Sequence, residues 1–176
     1  MNRASGAPEV TSLADLFAVA YQIEADAAER YDLLAAQMEA HNNPELVTVF
    51  RDLARAEAIH RDEIRRLAGD IDVAARAQEI ARWRRGESPE EVDLGKAHYL
   101  MTPWHALDLA LAGEKQALAY FTSIVQTTTD PSIKKMAEEF CEEENEHVNL
   151  VYRLMQRYLL PAHAWSEDLD PPIAQG

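Results

Sequence analysis

Apolar residues recur along four stretches of the chain at spacings that alternate between four and three, the signature of a helix with one face turned to a core. The first stretch reads Leu13, Phe17, Ala20, position 24, Ala27, Tyr31, Leu34, Met38. The second reads Leu46, Phe50, Leu53, then positions 57 and 60, then Ile64 and Leu67. The third is Leu107, Leu111, position 114, Leu118, Phe121, Val125, and the fourth Ile133, Ala137, Phe140, positions 144 and 147, then Val151, Leu154, Tyr158. No strand-like alternation competes with this pattern.

Helix start signals bracket the stretches. Ser12 with Asp15 three residues on has the form of a capping box and opens a run to about Ala40. Asn43-Pro44 opens a run to about Ala68, where Gly69 ends it; Thr102-Pro103 opens one to about Thr128; Asp130-Pro131 opens one to about Leu160. Connections of two or three residues force helices one and two, and three and four, into antiparallel hairpins. A long link joins the hairpins. Its part from Ile71 to Arg85 has helical character and ends in a basic cluster, Arg82, Arg84 and Arg85, expected to be solvated; GESPEEVDLG, which follows, reads as loop. Two hairpins and one long crossover predict an all-α, ferritin-like antiparallel four-helix bundle over residues 11–160, with tails at 1–10 and 161–176.

The seams are interrupted at one depth. Position 24 is glutamate, 57 and 60 are glutamate and histidine, 114 is glutamate, and 144 and 147 are again glutamate and histidine. Each interruption lies three or four turns from both ends of its helix. An antiparallel bundle therefore brings Glu24, Glu57, His60, Glu114, Glu144 and His147 into one buried layer. Burying an ion costs several kcal/mol even after relaxation. Two divalent cations would neutralise four carboxylates, and each Glu-x-x-His pair projects from a single helix face. Mixed carboxylate and imidazole donors suit iron or manganese, and zinc less specifically. The bland alternative is a layer of protonated carboxyls and histidines without metal. The pattern also repeats: Glu24 then Glu57-x-x-His60 is echoed by Glu114 then Glu144-x-x-His147 at offsets of 90 and 87 residues. That predicts two related hairpins about a pseudo-two-fold axis. Tyr31 and Tyr120, seven and six residues after the lone glutamates, are candidates to hydrogen-bond a ligand carboxylate or simply to fill the core. The neighbouring Glu142, Glu143 and Glu146 fall off the seam and read as solvated. His41, His98, His105 and His163 read as surface groups.

Composition narrows the partners. The formal charge is −14 and the pI about 4.8. An acidic surface repels phosphate backbones and anionic lipid, so neither nucleic acid nor a membrane is an expected partner, while cations are attracted. No run of apolar residues is long enough for a transmembrane helix, and the first residues lack the apolar core of a signal peptide. A single cysteine, Cys141, allows no internal disulfide and no cysteine-based metal knuckle. A cytoplasmic setting is the expectation.

The ligand pattern resembles the ferritin-like superfamily, and most closely the di-iron domain of rubrerythrins, over about residues 11–160. A lone Glu, a Glu-x-x-His, a lone Glu and a second Glu-x-x-His are met by Glu24, Glu57-Ala58-Ile59-His60, Glu114 and Glu144-Asn145-Glu146-His147, and Glu24 is followed by Tyr31 as in the rubrerythrin first helix. The resemblance implies two iron ions, with Glu57 and Glu144 grouped with the histidines of their own helices and two of the four carboxylates bridging. It implies an oxidoreductase that reduces hydrogen peroxide or dioxygen in response to oxidative stress. The alternatives are a ferroxidase for iron storage or transfer, and a non-catalytic metal-binding bundle. Two departures stand out. The four cysteines of a rubredoxin-type iron site are missing, so the electron donor is expected to be a separate molecule. The extra glutamate that rubrerythrins carry one turn after the lone Glu of helix three is Ala117 here. Bacterioferritins share the six ligands but hold haem through a methionine at a position that is Ala58 here, so no haem is expected. Bundles of this kind commonly pair, and a homodimer is expected.

Overall fold

The computed structural model describes residues 10–83 and 102–158. Five helices make up the described chain: α1 (Leu13–Ala40), α2 (Pro44–Leu67), α3 (Val73–Trp83), α4 (Pro103–Thr127) and α5 (Pro131–Met155). α1 and α2 form one hairpin, α4 and α5 the other, and α3 lies against α1. The four long helices and their order match the expectation from the apolar seams. Arg84, Arg85, His98, His163, the GESPEEVDLG stretch and the C-terminal tail lie outside the described residues, as do residues 1–9 and the side chain of Arg82.

The short connections are built by caps. At the end of α1, Asn42 takes a left-handed conformation (φ 54°), which asparagine tolerates better than most residues. Its N–H bonds the carbonyl of Glu39, and the N–H of Asn43 reaches back to Met38. This is a Schellman closure. Asn43 then turns its side chain the other way and accepts the Leu46 N–H as the N-cap of α2. One residue thus ends the first helix and starts the second. On the other hairpin, Asp130 accepts from the N–H groups of Ser132 and Ile133, with Pro131 in the first turn of α5. Thr102 and His105 form a reciprocal capping box at the start of α4.

Two details differ from the sequence reading. Ser12 does accept the Asp15 N–H, but the Asp15 carboxylate takes the N–H and hydroxyl of Thr11 rather than the N–H of Ser12. Its second oxygen accepts from Arg76 of α3 at 2.7 Å. The expected box is therefore half of a larger clamp that ties α3 to α1. His105, expected at the surface, is buried, because it turns back to cap its own helix.

The core divides into two apolar clusters. One gathers Tyr31, Leu34, Met38, Leu46, Phe50, Leu107, Leu111, Val151 and Met155. The other gathers Leu16, Phe17, Ile23, Ile64, Tyr120, Phe121, Ile124, Ile133 and Phe140. Burying one such large side chain stabilises by about 1.5–3 kcal/mol. Most seam residues sit in these clusters. Leu67 does not: it is about half exposed, at the last turn of α2. The buried arc of α4 is wider than one seam, because α4 packs against both α5 and α1. Ala110, Ala117 and Ile124 lie on the added strip, leaving Leu118 and Val125 partly covered at its edge. Among the described residues no helix is long and apolar enough to cross a membrane.

Candidate metal centre

Between the two apolar clusters lies a layer of charge. Glu24 from α1, Glu57 from α2, Glu114 from α4 and Glu144 from α5 are each at most 4% exposed. The layer forms because each glutamate continues the apolar seam of its helix, so the packing that buries its neighbours above and below buries it too. His60 and His147, one turn beyond Glu57 and Glu144, bring their rings parallel, with centroids 5.2 Å apart and 7° between planes. All six residues expected at the site meet there.

Glu57 sits between the two imidazoles. Its carboxylate oxygens lie 3.7 Å from Nδ1 of His60 and 3.2 Å from Nδ1 of His147. His60 Nδ1 is 3.9 Å from Glu24, and His147 Nδ1 is 3.5 Å from Glu114. Burial would raise the Glu57 carboxyl, but the polar contacts with His60 and Glu24 and the charge of both histidines hold it below its ordinary value. Burial would likewise lower His147. The close approach of Glu114 and the charges of Glu57, Glu114 and Glu143 outweigh it and raise the imidazole to about 9. In the metal-free protein at neutral pH, an imidazolium therefore offsets part of the carboxylate charge.

Three groups of donors are close enough to hold an ion, with their ligand atoms all within 4.8 Å of one another: Glu57, His60 and His147; Glu114, Glu144 and His147; and Glu24, His60 and Glu143. The residues fit metal chemistry better than a self-contained polar layer. Glu57 Oε1 is buried and makes no hydrogen bond, and the same is true of Nδ1 in both histidines. Buried polar atoms without partners are rare, and a cation would satisfy these together.

Tyr31 is fully buried and its hydroxyl donates to Oε1 of Glu114. Burial and the Glu114 charge raise the phenol well above its usual value, so it stays protonated. Tyr120 packs in the second apolar cluster, edge-on to Phe121 at 5.6 Å.

Three residues at the site were missed in the sequence. Arg30 is buried, with Nη2 3.5 Å from Glu114 and its guanidinium 5.3 Å from the Tyr31 ring centroid. Gly113 makes room for it: a Cβ there would lie 2.7 Å from the guanidinium carbon. A glycine in mid-helix costs about 0.5–1 kcal/mol relative to alanine and marks a close approach, so Gly113 beside a seam glutamate was the available signal. Glu143, read as solvated, does stay partly exposed, but it also brings a carboxylate oxygen close to His60 and Glu24. Partial burial raises its carboxyl above the ordinary value; His60 and His147 oppose the rise, while Glu63 and Glu139 add to it.

A family model described as Rubrerythrin matches residues 15–155. Among curated proteins no relative matches the chain. The crystal structure of an uncharacterized conserved protein from Magnetospirillum magnetotacticum MS-1 is similar at 36% identity, covering 87% of this chain and 99% of that one, with a TM-score of 0.68.

Proposed function

Because this chain belongs to the rubrerythrin family, we propose that it is an oxidoreductase that reduces hydrogen peroxide or dioxygen at a pair of iron ions, with a separate molecule as electron donor. The observation that carries this reading is Glu57, a buried carboxylate between two parallel imidazoles with one oxygen that makes no hydrogen bond. On this reading Glu24 and His60 would hold one ion and Glu114, Glu144 and His147 the other, with Glu57 within reach of both histidines. When bound, the iron pair would supply the two electrons that cleave an O–O bond.

The chain's own groups prepare that chemistry. Tyr31 fixes one oxygen of Glu114 by donating its proton there, and Arg30 adds a buried positive charge beside the same oxygen. These contacts limit how far Glu114 can swing. The apolar clusters on either side keep bulk water from the layer, which strengthens every charge interaction inside it.

The test is anaerobic Fe(II) loading followed by stopped-flow mixing with hydrogen peroxide and, separately, with air-saturated buffer. A Glu57→Ala/Glu144→Ala variant is the control. The expected result is two irons per chain and rapid stoichiometric oxidation, faster with peroxide and lost in the variant. Faster reaction with dioxygen, with uptake far beyond two irons, would replace this reading with iron oxidation for storage. Metal that binds but reacts with neither oxidant would leave a non-catalytic bundle.

A further inference from the structure

Glu143 stands one residue before Glu144 on α5, so the helix turns its side chain about 100° away from that of Glu144. The turn aims it at the opposite end of the charged layer. There its carboxylate, a carboxylate oxygen of Glu24 and a ring nitrogen of His60 all lie within 4.8 Å of one another. Three helices, α1, α2 and α5, supply these donors. Oxygen and nitrogen donors sit about 2.0–2.2 Å from a metal of this class, so two donors on opposite sides of one ion are about 4.2 Å apart. An inward movement of about half an ångström would close the group on a cation. Independently of the acidic residues at the rim, Nδ1 of His60, 3.9 Å from Glu24, is a buried ring nitrogen at the same end that makes no hydrogen bond.

The internal repeat makes the position informative. At the offset that relates Glu144 to Glu57, the counterpart of Glu143 is Ala56. The six-residue pattern is symmetric between the hairpins, and Glu143 is not. It gives a further carboxylate to the Glu24–His60 end and none to the Glu144–His147 end. It is also partly exposed, whereas Glu24 and Glu57 are buried.

We propose that Glu143 is a seventh ligand of the centre, binding the divalent first-row ion held by Glu24 and His60. This rests on the metal-centre reading above. It makes the two ion positions chemically unequal, because only the Glu24–His60 position gains a ligand from outside the repeated pattern. The partly exposed carboxylate also makes the Glu24–His60 end the one that meets an incoming cation first.

Anaerobic titration of the metal-free chain with Co(II), followed by visible absorption, tests this without any turnover. Wild type is expected to fill two sites with different affinities and band intensities. Glu143→Gln should weaken one site about 10-fold or more, a loss of the size seen when a supporting carboxylate is removed. It should also change that site's bands while leaving the other site as it was. Glu142→Gln, a neutralised and exposed neighbour, should leave both sites unchanged. If Glu143→Gln binds both ions with wild-type affinity and spectrum, the seventh ligand is refuted and the six-ligand centre stands. Equal weakening by both single variants also refutes it, since that reports only surface charge. If wild type itself takes up no Co(II), the centre and its seventh ligand fall together.

Discussion

A single missing methyl group decides where a buried charge can sit. Arg30 lies beside Glu114 in space that a Cβ on residue 113 would press upon. Gly113→Ala should raise local helix propensity by about 1 kcal/mol, yet it would place a methyl against the guanidinium. We expect a net loss of stability in the metal-free protein, read by urea denaturation. Arg30→Leu should cost more, about 3–5 kcal/mol, because it breaks a buried ion pair with Glu114; a loss under 1 kcal/mol would mean that Tyr31 and His147 suffice for that carboxylate. At this scale the six principal donors were legible because each interrupts an apolar seam. Arg30 and Glu143 were not, for one reason: both lie beside a seam rather than on it, and a seam defines only the middle of a buried face. Long side chains on the flanks reach inward from positions that residue counting assigns to solvent. His105 escaped for a different reason, since its burial comes from folding back onto its own helix start.

The helices were legible from their first turns. Asn43, Thr102 and Asp130 each accept backbone N–H groups as the sequence led one to expect. Asn43→Ala should cost about 1–2 kcal/mol, because the start of α2 and the end of α1 share that residue; thermal unfolding of the variant checks it. The clamp between α1 and α3 was not legible. Asp15 and Arg76 are 61 residues apart in sequence, and nothing local links them. Its acid sensitivity follows from the Asp15 carboxyl. Burial alone would raise that group, but the hydrogen bonds from Arg76, Thr11 and Ser12 lower it from 3.8 to about 2. A depressed carboxylate contributes stability above its unfolded value, and the contribution disappears as pH falls through the folded value. The stability difference between wild type and Asp15→Asn should therefore be constant at neutral pH and vanish between pH 4 and 2. Urea titrations across that interval would show it, and a difference that persists at pH 2 would exclude the clamp as its source.

For the molecule as a whole, the apolar seams were enough to give the bundle and its order of helices, because tertiary packing follows directly from which face is apolar. Stability was less legible, since it depends on what fills the charged layer. A ligand that binds only the folded chain stabilises it by about 2.7 kcal/mol at one hundred times its dissociation constant. Saturation with Fe(II) or Co(II) should therefore raise Tm by several degrees, and chelation should reverse it; calorimetry with and without chelator is the check. An unchanged Tm would mean that the layer is stable in itself.

The placement of that layer between two apolar clusters has a consequence for motion. Helices ordinarily loosen from their tips inward. Here each long helix is gripped by a dry cluster toward either end and crosses mutually repelling carboxylates at its waist. With the ions removed, amide hydrogens near Glu57 and Glu114 should exchange with solvent sooner than those near Phe50 and Phe121. The metal-free chain would then breathe from its middle, at the level where an ion has to enter.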